Sequence, residues 1–183
     1  ASRVVTVWVN TTDYDSNDAQ SRGFVGWGSG PDGERWEVAF NKKGTQGDYN
    51  AARVSVSYGH RTGSTTLSDG DWHMVNALLA EDGSPNATDI DIYVDGDKES
   101  LSSSEAEPLN TGDAYEVRIG RGIVDGTIGF LGLIDEVRIS SIVRSDNWIW
   151  ASYQTVMSDT FATYDTAVSN LPTAPKGTLF NFH

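Results

Sequence analysis

The chain has 183 residues, no cysteine and a formal net charge of −13. That length is enough for one domain with a sizeable core that needs no disulfide staples. The acidic balance excludes nucleic acid and an anionic membrane surface as partners, because both call for a cationic face. No stretch reaches the length of a membrane-spanning helix, so no membrane insertion is expected.

Val4 to Asn10 reads as the first strand, with Val5, Val7 and Val9 on one face and Thr6 and Trp8 on the other. Asp13 to Ser21 is a polar, acidic loop. Phe24 to Trp27 and Arg35 to Phe40 form a hairpin around Gly28 to Gly33, and Trp36, Val38 and Phe40 share a face of its second arm. A Gly-rich loop, Lys43 to Asn50, leads to Arg53 to Tyr58, whose Val54, Val56 and Tyr58 are expected to point inward. Trp72 to Leu79 is apolar on both sides, as the central strand of a sandwich should be. Asp89 to Asp95 alternates Asp and Ile and closes in an Asp95-Gly96 turn.

Ser100 to Asp113 is a Ser- and acid-rich loop, and Tyr115 to Gly120 and Phe130 to Ile139 are the next two strands. Ser145 caps a helix that runs to about Thr155, with Asp146 placed for its N-terminal dipole and Trp148 and Trp150 expected to anchor it. Short strands separated by turn residues indicate an all-β sandwich or barrel. The stretch from Ser158 to His183 is polar until Thr178-Leu-Phe-Asn-Phe182.

Three segments, in this order, carry a family likeness: Asp71-Trp-His-Met-Val-Asn-Ala-Leu-Leu79, Asp89-Ile-Asp-Ile-Tyr-Val-Asp-Gly-Asp97 and Gly129-Phe-Leu-Gly-Leu-Ile-Asp-Glu-Val-Arg-Ile139. Together they resemble the second half of a LamG-like jelly-roll domain of the concanavalin A-like lectin/glucanase superfamily. The resemblance implies an antiparallel jelly-roll β-sandwich over residues 1–157, with one short helix near its end. Residues 158–183 form a C-terminal extension. LamG-like domains usually carry a strand before the one that opens here, so the tail is expected to add a strand to the sheet of its own molecule, against the alternative of a disordered linker to a following domain. Its addition to a neighbour would be self-association through a terminal strand.

Asp135 shares alternation parity with Val137 and Ile139, which points it toward the apolar side, where a carboxylate needs donors, a cation or neutralisation. Its strand resembles one in laminarinase- and lichenase-type glucanases whose Asp ligates a structural calcium together with backbone carbonyls. The resemblance therefore implies calcium at Asp135; capping a turn, or pairing with Arg138 or another arginine, is the alternative reading of the same residue. Trp72 and His73 read as structural, and Asp95 as shaping its turn. Trp8 opposes the Val row and is expected on an open sheet surface, where an aromatic ring stacks on sugar. Tyr93, Glu116, Arg118 and Arg138 lie on the noncore parity of their strands. Of these, Tyr93, Arg118 and Arg138 are expected to complete a ligand-binding surface with Trp8, against the alternative of ordinary exposed cross-strand pairs.

Glycoside hydrolysis requires two carboxylates at a fixed separation, and the Glu-x-Asp-x-x-Glu strand of the glucanases has no counterpart here. The expected function is a non-catalytic carbohydrate-binding or adhesion module of a secreted or cell-surface bacterial protein. Its expected partner is a polysaccharide or glycan, or another extracellular protein. The alternatives are a structural self-assembling subunit with no sugar site and a polysaccharide-degrading enzyme whose active site has degenerated.

Overall fold

The computed structural model describes residues 1–13, 22–123 and 129–161. Eleven strands appear among them: β1 (Arg3–Asn10), β2 (Arg22–Gly28), β3 (Arg35–Phe40), β4 (Ala51–Ser57), β5 (Gly59–Thr66), β6 (Trp72–Leu79), β7 (Asp91–Val94), β8 (Asp97–Lys98), β9 (Ser103–Glu105), β10 (Tyr115–Ile119) and β11 (Leu133–Ser140). They pair antiparallel into a five-stranded sheet, β11-β1-β6-β7-β8, and a six-stranded sheet, β10-β2-β3-β4-β5-β9. This is the antiparallel sandwich expected from the alternating strands. One helix, α1 (Asp146–Met157), follows.

Alternation places the core. Val5, Val7 and Val9 of β1 and Val75, Ala77 and Leu79 of β6 meet Phe24, Trp36, Val38, Phe40, Val54 and Val56 from the other sheet. Phe130 closes this layer edge-on to Phe24, with ring centroids 5.0 Å apart. The opposite face of the five-stranded sheet is apolar as well: Val4, Trp8, Met74, Leu78 and Tyr93 are buried beneath Ile149 and Tyr153 of α1. The helix starts as expected, with the Ser145 side chain accepting from Trp148 N. Its anchors differ from expectation. Trp148 and Trp150 are partly exposed, at 42% and 46%, whereas Ile149 is sealed, because docking against a flat sheet selects a narrow stripe of the helix.

Two further expectations are corrected by backbone geometry. Tyr58 does not point inward: Ser57 and Tyr58 have φ of 64° and 60°, the pair of left-handed residues that a tight hairpin requires. They turn β4 directly into β5 and leave Tyr58 exposed.

Asp135 does not point inward either. Thr6 pairs with Arg138 and Trp8 with Asp135, so β11 carries one residue more than β1 between the same two pairs. That residue belongs to a β-bulge that includes Glu136, at φ 49°. The bulge inverts the alternation, so that Ile134 and Val137 both pack on the core while Asp135 is exposed. Among the described residues β1 is flanked by β11 and β6, so the edges of this sheet are β11 and β8 rather than β1. The tail segment Thr178–Phe182 lies outside the described residues.

Candidate ligand-binding site

The outer faces of the two sheets differ in kind. On the five-stranded sheet α1 covers an apolar patch. Trp8 is 5% exposed and stacks on Tyr153, with centroids 5.8 Å apart and planes 16° apart. Tyr93 is equally buried, and its hydroxyl donates to Asp146 Oδ1 at 2.6 Å. Burial first and this carboxylate second raise the phenol's pKa, so Tyr93 is a hydrogen-bond donor that ties the helix to the sheet. The expectation of an exposed Trp8 ring is therefore corrected: parity puts it on the second face of its strand, but the helix occupies that face.

Arg138 lies on the same sheet, exposed and paired with Glu136. Arg118 lies on the other sheet, with its guanidinium 4.6 Å from the Tyr115 ring centroid. The four residues expected to form one surface are thus divided between two faces of the sandwich.

Asp135 and Trp8 do meet, at a cavity of about 230 Å³ lined also by Trp72, Glu136, Val156 and Met157. The Asp135 carboxylate is engaged locally, with Oδ1 accepting from Glu136 N at 2.7 Å. Among the described residues no group of three or more His, Cys, Asp or Glu is placed to hold a metal ion. The calcium expectation pairs Asp135 with backbone carbonyls and does not call for such a group.

His73 and Asp95 behave as expected of structural residues. His73 Nδ1 is 2.7 Å from Asp95 Oδ2 and its Nε2 is 3.0 Å from Asp69 Oδ1. Asp95 Oδ1 accepts from Met74 N at 2.9 Å, and Asp95 itself opens the turn with φ 55°.

The outer face of the six-stranded sheet carries polar side chains instead. Register aligns Arg118, Gly26, Glu37, Ser55, His60 and Glu105 in one row across all six strands. Their neighbours Trp36, Val38, Val54 and Val56 fill the core, so this row faces away from it. Arg35 flanks the row on one side; Arg53 and Thr62, opposite each other, flank it on the other.

Gly26 has a specific role in the row: a Cβ there would lie 2.7 Å from the Ile123 side chain. Its absence lets the segment after β10 lie flat on β2. Glu37 Oε2 accepts from Ile123 N at 2.7 Å, and Arg118 donates to Ile123 O. Arg118 thus fastens one rim. At the opposite rim Thr62 donates to Gln46 O at 2.7 Å.

Between these rims stand Arg35, Glu37, Arg53, Ser55 and His60, with Lys43 within electrostatic reach. Glu37, Arg53, Ser55 and His60 are buried, whereas Arg35 and Lys43 are half-buried. Arg35 donates to Ser55 Oγ at 2.8 Å, and His60 Nε2 is 2.9 Å from Ser103 Oγ. Burial, with Arg53 and Lys43 nearby, lowers the His60 pKa to about 4. Burial followed by Arg35 lowers Arg53 to about 10, against the opposing pull of Glu37. The ring of His60 is therefore neutral at physiological pH and Arg53 remains charged.

This cluster was missed because the sequence reading followed the apolar halves of β3 and β4. The complementary halves, Arg35-x-Glu37 and Arg53-x-Ser55, were legible as strands with polar partners on their second face.

A model of the Laminin_G_3 family, in the concanavalin A-like lectin/glucanases superfamily, matches residues 4–150. The chain belongs to this family. No curated protein matches. Among solved structures, this Laminin_G_3 chain is similar to domain 4 of the arabinanase AbnA from Geobacillus stearothermophilus in complex with arabinotriose, at 17% identity and TM-score 0.54, covering 81% of this chain and 64% of that one. It is also similar to a putative carbohydrate-binding protein from Bacteroides ovatus, at 19% identity and TM-score 0.57, covering 81% and 40%. The CBM40 domain of a Ruminococcus gnavus IT-sialidase bound to α2,3 sialyllactose matches at 14% identity and TM-score 0.54, covering 83% and 82%. At these identities the likenesses establish the fold, the expected jelly-roll sandwich.

Proposed function

We propose that this chain is a non-catalytic carbohydrate-binding module of a secreted or cell-surface protein. Its glycan lies on the outer face of the six-stranded sheet. The observation that carries this reading is the contrast between the two sheets. One outer face is sealed by α1 over Trp8 and Tyr93. The other carries a half-buried Arg35, its guanidinium set by a hydrogen bond to the buried Ser55, and is bordered by fastened rims. Fixed donors on a rigid sheet suit sugar hydroxyls, since little ordering entropy is lost on binding. Support comes from the solved neighbours, whose bound sugars are an arabinotriose and a sialyllactose. The extracellular placement draws on the same neighbours; among the described residues no helix is long and apolar enough to cross a membrane.

A glycan array probed with the purified chain tests the proposal, followed by titration of each hit against Arg35→Ala and Trp72→Ala. Arg35→Ala is expected to weaken binding about tenfold or more, the scale of one charged hydrogen bond. Trp72→Ala, on the other sheet, leaves binding unchanged. Loss in Trp72→Ala but not in Arg35→Ala moves the site to the Asp135 cavity. An array with no hits favours the structural self-assembling subunit, and hydrolysis of a bound glycan favours the enzyme.

Calcium at Asp135 rests on the resemblance alone. A cation bound only to the folded chain stabilises it by mass action, a few kcal/mol at saturation. A fall in melting temperature on chelation, absent in Asp135→Ala, carries that reading; a melting curve indifferent to chelator ends it.

A further inference from the structure

Among the described residues the two sheets end in four edge strands, of two kinds. β8 and β9 have two and three residues and carry only polar side chains; short polar edges resist further pairing. β10 and β11 have five and eight residues and carry the exposed Val117, Ile119, Leu133 and Ile139.

Two of these side chains are exposed although they point toward the core. Ile119 pairs with Val25 and Ile139 with Val5, and directly paired residues share a face. Val25 and Val5 are sealed, whereas Ile119 and Ile139 are 55% and 48% exposed. The space between the sheets is therefore open along this side. A cavity of about 310 Å³ marks the mouth, lined by Trp27, Tyr115 and Val117 from one sheet and Ile139 from the other, with Asp113 and Glu116 beside them.

Apolar side chains left in water at such a mouth forfeit the free energy of their burial. We propose that the segment Thr178-Leu-Phe-Asn-Phe182 of the same chain closes it, lying along β10 with Phe180 and Phe182 turned between the sheets. The inference is independent of the glycan site, which lies on the outer face of the six-stranded sheet.

Reach, composition and charge select this occupant. Phe161 packs edge-on against Trp150 of α1, with centroids 5.6 Å apart, so the tail departs from the side of the five-stranded sheet that α1 covers. Sixteen residues, 162–177, then precede Thr178. Extended, they span about 50 Å, against roughly 20 Å across five strands. Phe180 and Phe182 share a face of an extended segment, which suits a mouth walled by Trp27, Val117, Ile119 and Ile139. Lys176 stands just before the segment and answers the carboxylates of Asp113 and Glu116.

The test uses the full chain, which has no cysteine, so an introduced pair can join only to itself. Ile119→Cys with Phe182→Cys should oxidise to a cross-linked monomer. Lys98→Cys with Phe182→Cys, at the opposite edge of the five-stranded sheet, should not. Phe180→Ala with Phe182→Ala is expected to lower the melting temperature by about 5 °C or more, because two buried rings are lost. Val117→Lys should lower it in the parent chain and leave it unchanged in that double variant, since the mouth is then already open.

A cross-link between two chains, or a melting temperature that rises with protein concentration, gives the mouth to a second copy and overturns closure by the chain's own tail. Equal cross-linking at the two edges overturns it as well. So does a double variant that melts with the parent.

Discussion

Trp8→Ala is expected to lower stability by about 3–5 kcal/mol, the range for truncating a large buried aromatic side chain. In a chain of this size that corresponds to a melting temperature lower by roughly 10 °C. The indole sits between the five-stranded sheet and α1, in contact distance of Tyr153 and buried with Val4, Met74, Leu78 and Ile149. Its removal opens a void beneath the only α-helix of the described residues and loosens the dock that Tyr93 and Asp146 complete. Thermal unfolding of the variant beside the parent measures the effect. A loss below about 1 kcal/mol, typical of a surface change, would sink the placement of Trp8 in a helix-covered core. Glycan binding by the folded variant, measured well below its melting temperature, should match the parent, because the proposed site lies on the other sheet.

Raising the pH through about 9 should remove the stabilising contribution of His73. Hydrogen bonding to Asp95 raises the imidazole pKa to about 9; burial opposes this, and Asp69 adds to the rise. A folded-state pKa above the ordinary 6.5 means that folding favours the protonated ring. The contribution is complete below that ordinary value, declines between it and about 9, and is absent above. On the order of 2 kcal/mol is at stake, discounted from the shift because Asp69 is half exposed.

His73→Gln should therefore destabilise the chain most under mildly acidic conditions and least in strong base. Melting temperatures of parent and variant across that range give the difference directly. A gap that stays constant or widens with rising pH would show that the ring is neutral in the folded chain. Asp95→Asn should lose the same pH-dependent part and more besides, since Asp95 also accepts from Met74 N.

Most of the fold was readable before any coordinates. A period of two needs only local chain geometry, so Val5, Val7 and Val9, or Trp36, Val38 and Phe40, announced both strand and inward face. Turn chemistry was nearly as clear: Asp95-Gly96 gave the two left-handed residues its hairpin uses. Ser57 and Tyr58 adopt the same conformation without glycine, and there the strand was carried one residue too far. His73 could be recognised as structural because its partner came from a turn already marked by Asp95.

What the sequence by itself determined about this protein is its strand alternation, its turn positions, the capped start of its helix and the ordered segments of the Laminin_G_3 family. Each of these depends on neighbours within a few residues. The tertiary structure alone decided three things. A bulge at Glu136 aimed Asp135 outward, and it exists because β11 must match β1 over their whole length. The docking of α1 turned Trp8 and Tyr93 from surface into core, since noncore parity becomes exposure only where nothing covers the face. Pairing of β3, β4 and β5 brought together Arg35, Arg53 and His60, residues well separated in sequence. Such a cluster leaves no local pattern, because its members are neighbours across hydrogen-bonded strands and not along the chain.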